Sequence, residues 1–394
     1  MSVSEADIRA VLAGVHDPDL RRSVLELGMV RQIRVKRRSV TVELALPMPG
    51  WPVQDTVASH VAAAVGQLPG IGEVRVERSD MDDAEKAQLR AVLAEPPDGQ
   101  PSTVVPGHQH THQASGSAPQ PLGHEEGRPN RFMAPGSRTR VIGVSSGKGG
   151  VGKSSVTVNL AVSLAERGYD VGLLDADVYG FSVPKMLGVD HGPSTVDTLL
   201  VPPVVHGVRC LSMGYFVEDA QPVIWRGPML HKALEQFLVD AYWGEPDFLL
   251  LDMPPGTGDV ALSLGQYLPR AEIVVVTTPQ PAAQRVAQRS AFAARQLKLP
   301  VRGVIENMSW FTGDDGTRYE LFGAGGGAQL AADLEVPLLG QVPLVPAVRQ
   351  GGDVGVPVRL SDPDGEAAQA FDALADALVE MGPARIYRRE LTVR

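Results

Sequence analysis

Residues Gly147-Lys148-Gly149-Gly150-Val151-Gly152-Lys153-Ser154 match the pattern G-x-x-x-x-G-K-[ST], a spacing that suits the capture of a triphosphate. Glycines let successive backbone N–H groups wrap phosphate oxygens, and a helix N-terminus behind the loop adds a favourable dipole. In such a loop Lys153 is expected to reach the β- and γ-phosphates and the Ser154 hydroxyl to ligate Mg2+. A glycine-rich turn without a ligand is the alternative. The context argues against it, because the motif follows the apolar run Val141–Ser145 and precedes Val156, Leu160 and Leu164 at helical spacing.

Three aspartates extend the pattern. Asp252 ends the apolar run FLLLD, where a carboxylate can hold Mg2+ through its water shell. The stiff turn Met-Pro-Pro-Gly-Thr-Gly-Asp follows it, and the Gly256 N–H is expected to face the γ-phosphate. Asp175 and Asp177 end an earlier apolar run, and one carboxylate there can orient an attacking water, since phosphoryl transfer needs positioning and charge stabilisation more than covalent help. A lone aspartate usually caps a helix or pairs with a base. Three of them at strand ends beside a phosphate loop are read instead as a catalytic set, with Asp175, Asp252 and Ser154 assigned to the metal.

The elements that must position these groups are legible as alternating strands and helices. Strands are expected at Val141–Ser145, Tyr169–Asp175, Val208–Met213, Asp247–Asp252, Glu272–Thr278, Val301–Asn307 and Pro337–Pro343. Most are continuous Val/Ile/Leu runs, as in strands covered by helices on both faces. The expected fold is α/β, a doubly wound and mostly parallel sheet with ligands at the carboxyl ends of its strands. A small α+β domain precedes it. There Ile8, Leu12 and Val15 recur at helical spacing, a turn falls at Asp17-Pro18, and strands near Val30–Val35 and Val40–Leu46, a helix near Val53–Leu68 and a strand at Ile71–Val76 give the order αββαβ. The expected division is a small domain over 1–94, a disordered linker over 95–137 and an ATP-handling domain over 138–394. His108, His110 and His112 fall in the Pro/Gly/Ser/Gln-rich linker. They are read as incidental polarity, because such a tract offers no neighbours to orient imidazoles for a metal.

Composition excludes several classes. The 394 residues carry 46 acidic against 36 basic side chains, a net charge of −10, so no global field favours nucleic acid or an anionic membrane. Cys210 is the single cysteine; it excludes an internal disulfide and fits a reducing cytoplasm. Neither a secretory signal nor a membrane-spanning run of about 18 apolar residues is read in the sequence.

SSGKGGVGKSS, with Lys148 ahead of the paired glycines, resembles the deviant Walker A loop of the MinD-like ATPases. LLDADVYGFSVPKMLG (Leu173–Gly188), LDMPPGTGD (Leu251–Asp259), TTPQ (Thr277–Gln280) and IENMSWF (Ile305–Phe311) narrow the resemblance to the Mrp/ApbC-like iron-sulfur cluster carrier ATPases, from Thr139 to about Gly382. DPDLRRSVLELGMV (Asp17–Val30) resembles the small iron-sulfur-assembly domain often fused ahead of them. The resemblance implies a homodimer in which Lys148 reaches the partner's nucleotide, Asp177 positions the hydrolytic water and Asn307 touches adenine, with Ser155 completing the loop where Thr is usual. It also implies a labile [4Fe–4S] cluster held by a Cys-x-x-Cys pair from each subunit and passed to apo recipient proteins.

The chain departs from that pattern where the thiols are expected. Thr312–Phe322 reads TGDDGTRYELF without a cysteine, and Trp51 stands where the leading domain usually has one. Asp314 and Asp315 are hard oxygen donors unsuited to iron-sulfide, and mid-strand Cys210 reads as a small buried hydrophobe. Phe181 also departs from the usual loop. ATP hydrolysis with Mg2+ is therefore expected, with no cluster ligand identified. Three functions remain: a carrier that borrows ligands from a partner or small thiol, a nucleotide-switched dimeric regulator or scaffold, and a membrane- or DNA-positioning ATPase. Glu366, Asp372, Asp376 and Glu380 on the last helix argue against a bilayer surface. The tail with Arg385, Arg388, Arg389 and Arg394 reads as a solvated end rather than a nucleic-acid hook.

Overall fold

A computed structural model of the chain describes residues 3–95, 130–134, 136–178, 180–216, 227–256 and 259–384. Most of the expected linker, with His108, His110 and His112, and the basic tail lie outside the described residues. The chain divides into two compact units.

The smaller unit opens with helix α1 (Glu5–Leu12), started by a capping box between Ser4 and Asp7 and anchored by buried Ile8 and Leu12. Strand β1 (Val30–Lys36) runs antiparallel to β2 (Ser39–Leu46), and β3 (Glu73–Asp80) lies parallel to β2 on its other side. β2 buries Val40, Val42 and Leu44 at strand period. Helix α2 (Gln54–Gly66) crosses between β2 and β3 and buries Val57, Val61 and Val65, one residue per turn. A further helix, α3 (Asp83–Ala94), follows β3, so the order is αββαβα rather than the expected αββαβ. Its signal was the capping box Asp82/Glu85, because its buried stripe is only Leu89 and Leu93.

The larger unit begins with a short turn at Asn130–Ala134. Phe132 is buried there, and the Asn130 side chain donates to the Tyr267 carbonyl at 3.1 Å. The linker is therefore shorter than expected at this end. Strand β4 (Arg140–Ser146), helix α4 (Lys153–Glu166), strand β5 (Val171–Asp175) and helix α5 (Val183–Leu187) follow. The chain then leaves for the hairpin β6 (Ser194–Val196) and β7 (Leu199–Val201), which belongs with Asp240–Glu245 to the smaller unit. Val196, Val201 and Tyr242 join that unit's core. The small unit thus takes residues from inside the span expected for the large one, because these short pieces find apolar neighbours there that no local pattern announces.

The remaining elements are β8 (Val204–Val205), β9 (Val208–Ser212), α6 (Gly227–Val239), β10 (Phe248–Asp252), α7 (Asp259–Tyr267), β11 (Glu272–Thr277), α8 (Pro281–Gln296) and β12 (Val301–Asn307). They continue with β13 (Phe311–Thr312), β14 (Arg318–Tyr319), α9 (Gly326–Asp333), β15 (Leu338–Val342), α10 (Pro346–Val354), α11 (Val358–Ser361) and α12 (Glu366–Met381). The central sheet has the order β15-β12-β11-β4-β10-β5-β9-β8, parallel except for β8. β4, β5, β9, β10 and β11 are buried along their whole length, as their unbroken apolar runs require. Because β10 and β11 flank β4, the loops leaving β4, β10, β5 and β12 gather at one edge of the sheet.

Candidate functional site

The glycine loop leaves β4 and turns into α4 through Gly152, whose left-handed φ of 78° starts the helix. A Cβ there would fall 2.3 Å from the Asn307 amide, and one at Gly147 would fall 2.2 Å from the α8 backbone at Ala287. These two glycines are required by close approach. Among the described residues, no protein acceptor takes the backbone N–H of Gly149, Gly150, Val151 or Gly152. A run of such donors at a helix start suits an anion.

Lys153, Ser154 and Asp252 meet beneath the loop. The Lys153 ammonium lies 2.6 Å from Asp252 Oδ2, and the Ser154 hydroxyl donates to the same oxygen at 2.6 Å. Asp252 is fully buried at the end of β10. Thr157, one helical turn beyond Lys153, lies 2.8 Å from the other oxygen, Asp252 Oδ1. The motif did not reveal Thr157; its signal was the i, i+4 spacing that puts it on the Lys153 face. Asp252 and Ser154 present hard oxygens, a donor set that fits Mg2+.

Asp175 lies level with Asp252 on the neighbouring strand, but its oxygens are engaged elsewhere. They accept from the backbone N–H groups of Asp177, Ser182 and Val183 and from the Ser212 hydroxyl, at 3.1–3.3 Å. In this arrangement the carboxyl organises the loop that carries Asp177 and starts α5. Burial, reinforced by the charge of Asp252, pushes its pKa up to about 7. Asp177 is buried and accepts from the Gly180 N–H at 3.0 Å.

Three further expectations meet a different arrangement. The Gly256 N–H donates to the Ser146 carbonyl at 2.8 Å and so ties the turn after β10 to the end of β4. Gly256 is also held through its carbonyl by Ser290, whose hydroxyl pairs with Ser145 at 2.7 Å. Asn307 is 7% exposed and donates to the Val151 carbonyl at 2.9 Å, which makes it a strut under the glycine loop. Lys148 turns back on its own chain, 3.4 Å from Gln280 Oε1. Ser155 is half-buried in the first turn of α4, and its carbonyl accepts from Asn159.

The region expected to lack thiols is a tight hairpin, β13–β14. Asp315 accepts from the backbone and side chain of Thr317, and these bonds hold its carboxyl below the usual range. Cys210 is fully buried in β9, where burial pushes its thiol pKa up and keeps it protonated. Trp51 is fully buried, and its indole N–H donates to Asp17 at 2.8 Å. No group of three or more metal-binding side chains occurs among the described residues.

Comparison with known proteins identifies the two parts of the chain. Residues 137–379 match the family described as NUBPL iron-transfer P-loop NTPase, and residues 5–77 match the family described as iron-sulfur cluster assembly protein. The chain is 44% identical over 380 residues to the iron-sulfur cluster carrier protein of Mycobacterium tuberculosis, covering 95% of this chain and 92% of that one. It is 39% identical over 375 residues to the iron-sulfur cluster carrier protein of Synechocystis, covering 93% and 95%. Among solved structures, the nucleotide-binding protein of Archaeoglobus fulgidus in complex with ADP aligns with a TM-score of 0.51 and 33% identity, over 59% of this chain and 93% of that one.

Proposed function

The chain belongs to the iron-sulfur cluster carrier family of P-loop NTPases, and from that premise we propose that it is a homodimeric, Mg2+-dependent ATPase that carries an iron-sulfur cluster to apo recipient proteins. The observation that carries the ATPase reading is the convergence of Lys153, Ser154 and Asp252 beneath a loop of open N–H donors. The loop amides bind the phosphates, and Lys153 exchanges Asp252 for the β- and γ-oxygens. Asp252 and Ser154 would hold Mg2+, which when bound offsets phosphate charge. Asp177, on the loop organised by Asp175, orients the attacking water. Lys148, once released from Gln280, acts across the dimer. The site calls for neither nucleic acid nor membrane; no described helix is long and apolar enough to cross a bilayer, and we place the protein in the cytoplasm.

A second reading, a nucleotide-switched dimer that carries no cluster, is favoured by one observation. The only thiol is buried, and the β13–β14 hairpin offers oxygen donors alone. Anaerobic reconstitution with iron and sulfide, followed by visible absorbance and an ATPase assay, separates the two. Broad absorbance from about one cubane per dimer supports the carrier, with ligands borrowed from a partner or a small thiol, because a cubane ordinarily takes four thiolates and a dimer of this chain has two. A colourless protein that hydrolyses ATP supports the switch, and a protein that neither binds nor splits ATP sinks both.

A further inference from the structure

We infer that Thr157 is a positioning residue for the metal, the group that pins Asp252 so that its outer oxygen faces Ser154; the inference rests on the Mg-ATPase reading above. Asp252 has two oxygens with separate partners. Oδ2 takes Lys153 and Ser154, both at 2.6 Å. Oδ1 takes the Thr157 hydroxyl at 2.8 Å, and no other described donor reaches it.

The Thr157 hydroxyl also lies 2.9 Å from the Lys153 carbonyl. It has one hydrogen to give. The carbonyl, four residues back in a helix, is already the acceptor for a backbone N–H, whereas the carboxylate is charged and forms the stronger bond. The hydrogen therefore belongs to Asp252. Thr157 is fully buried, and its hydroxyl is held between Asp252 Oδ1 and the Lys153 carbonyl, so the donor is fixed in place.

This rigidity matters at the moment a nucleotide enters. Phosphate oxygens draw Lys153 away from Oδ2, and the carboxylate loses one of its three donors. Without Thr157 only Ser154 would remain, and the group could turn about its terminal torsion. With Thr157 in place, Oδ1 stays fixed and Oδ2 stays directed at Ser154, the pair of oxygens assigned to Mg2+. Lys153, Ser154 and Thr157 all lie within the first five residues of α4, so one helix sets the cation, the metal hydroxyl and the carboxylate orientation together.

The test is titration calorimetry of ADP binding to the full chain, in excess Mg2+ and in EDTA, for the wild type, Thr157→Val and Thr157→Ser. The valine keeps the shape and removes the hydroxyl, and the serine restores it. The expected result is that the valine variant binds ADP in EDTA within about twofold of the wild type but loses roughly tenfold of the affinity gained from Mg2+, as for a hydrogen bond to a charged group. The serine variant should recover most of that gain. An unchanged Mg2+ gain in the valine variant overturns the inference, as does an equal loss in both variants or a loss that is as large in EDTA. A wild type whose affinity does not respond to Mg2+ overturns the ATPase reading and this inference together, which distinguishes the two failures.

Discussion

Two buried ion pairs sit at opposite ends of the same strand: Lys153–Asp252 beyond the carboxyl end of β4, and Arg140–Glu272 at its amino end. Their separations, 2.6 Å and 2.7 Å, and their burial are nearly the same. What differs is the number of donors left over. At the amino end Arg302 adds a second cation to Glu272, and the Ala384 N–H donates to its other oxygen. Arg140 and Arg302 also bond carbonyls at Leu378 and Gly382, closing the end of α12 onto the sheet. That set leaves a single donor over among the described residues, Arg302 Nε, which lies 3.3 Å from Glu272 Oε2 without forming a hydrogen bond. At the carboxyl end the lysine stands below loop amides that have no protein acceptor among the described residues. Neither distance nor burial identifies a functional pair. Surplus donors do.

The largest expected contrast breaks the comparison directly. Lys153→Ala should lower ATP turnover by at least roughly a hundredfold, because it removes a cation aimed at the transferring phosphoryl group. Arg140→Ala should leave nucleotide affinity within about twofold of the wild type yet cost roughly 3 kcal/mol of stability, since it strands much of the buried Glu272 charge. Turnover and urea unfolding measured on both variants decide the matter. An Arg140→Ala protein that folds normally but loses ATP binding would show that the amino-end pair is not merely structural.

The next contrast lies within the carboxyl edge, between Asp177 and Asp175. Asp177→Asn should slow hydrolysis about a hundredfold, the scale of a lost proton acceptor, while the calorimetric affinity for ADP stays unchanged. Equal loss of affinity would remove its water-positioning role. Asp175 should declare itself through pH instead. Its pKa is raised from 3.8 to about 7 by burial and the Asp252 charge, so the folded protein holds a proton that the unfolded chain has released between those values. Its contribution is therefore favourable at low pH and is lost as pH rises from about 4 to 7, with a slope of at most about 1.4 kcal/mol per pH unit. Urea midpoints across that range should fall with pH through this group, and Asp175→Asn should flatten the slope.

The contrast also explains what the sequence could disclose. The glycine loop, Lys153, Ser154 and Asp252 were legible because a contiguous motif and a strand-ending carboxylate are local signals. The sheet strands were legible because both faces are covered, leaving unbroken apolar runs. Asn307 under Val151 and Gly256 on Ser146 were not legible, since each contact is set by how a distant strand or turn meets β4. The donors to Asp175 were hidden for a related reason. Its position beside Asp252 suggested a shared ion, whereas its true donors come from the start of α5 and the end of β9, in register with it only after the sheet forms. The hairpin Ser194–Val201 carries no local sign that its core lies with the smaller unit.

The smallest expected effect sharpens the comparison in that unit, where another buried carboxylate is closed off from solvent. Asp17 Oδ2 accepts from the Trp51 indole, and Oδ1 accepts from the N–H groups of Asp19 and Leu20. Burial raises its pKa, and these three bonds oppose the rise. Like Glu272, it is satisfied within the protein, and by the surplus-donor criterion it has no ligand to wait for. Trp51→Phe preserves most of the volume and removes one donor from a buried acceptor, which should cost about 1–2 kcal/mol and leave nucleotide affinity unchanged. Because the lost donor favoured the ionised carboxylate, the variant's pKa rises further and its deficit should grow as pH increases from 4 to 7. Hydrogen exchange of β2 amides, read at both pH values alongside ADP binding, measures this. A deficit that is larger at low pH would contradict the assignment of the indole as a donor to ionised Asp17.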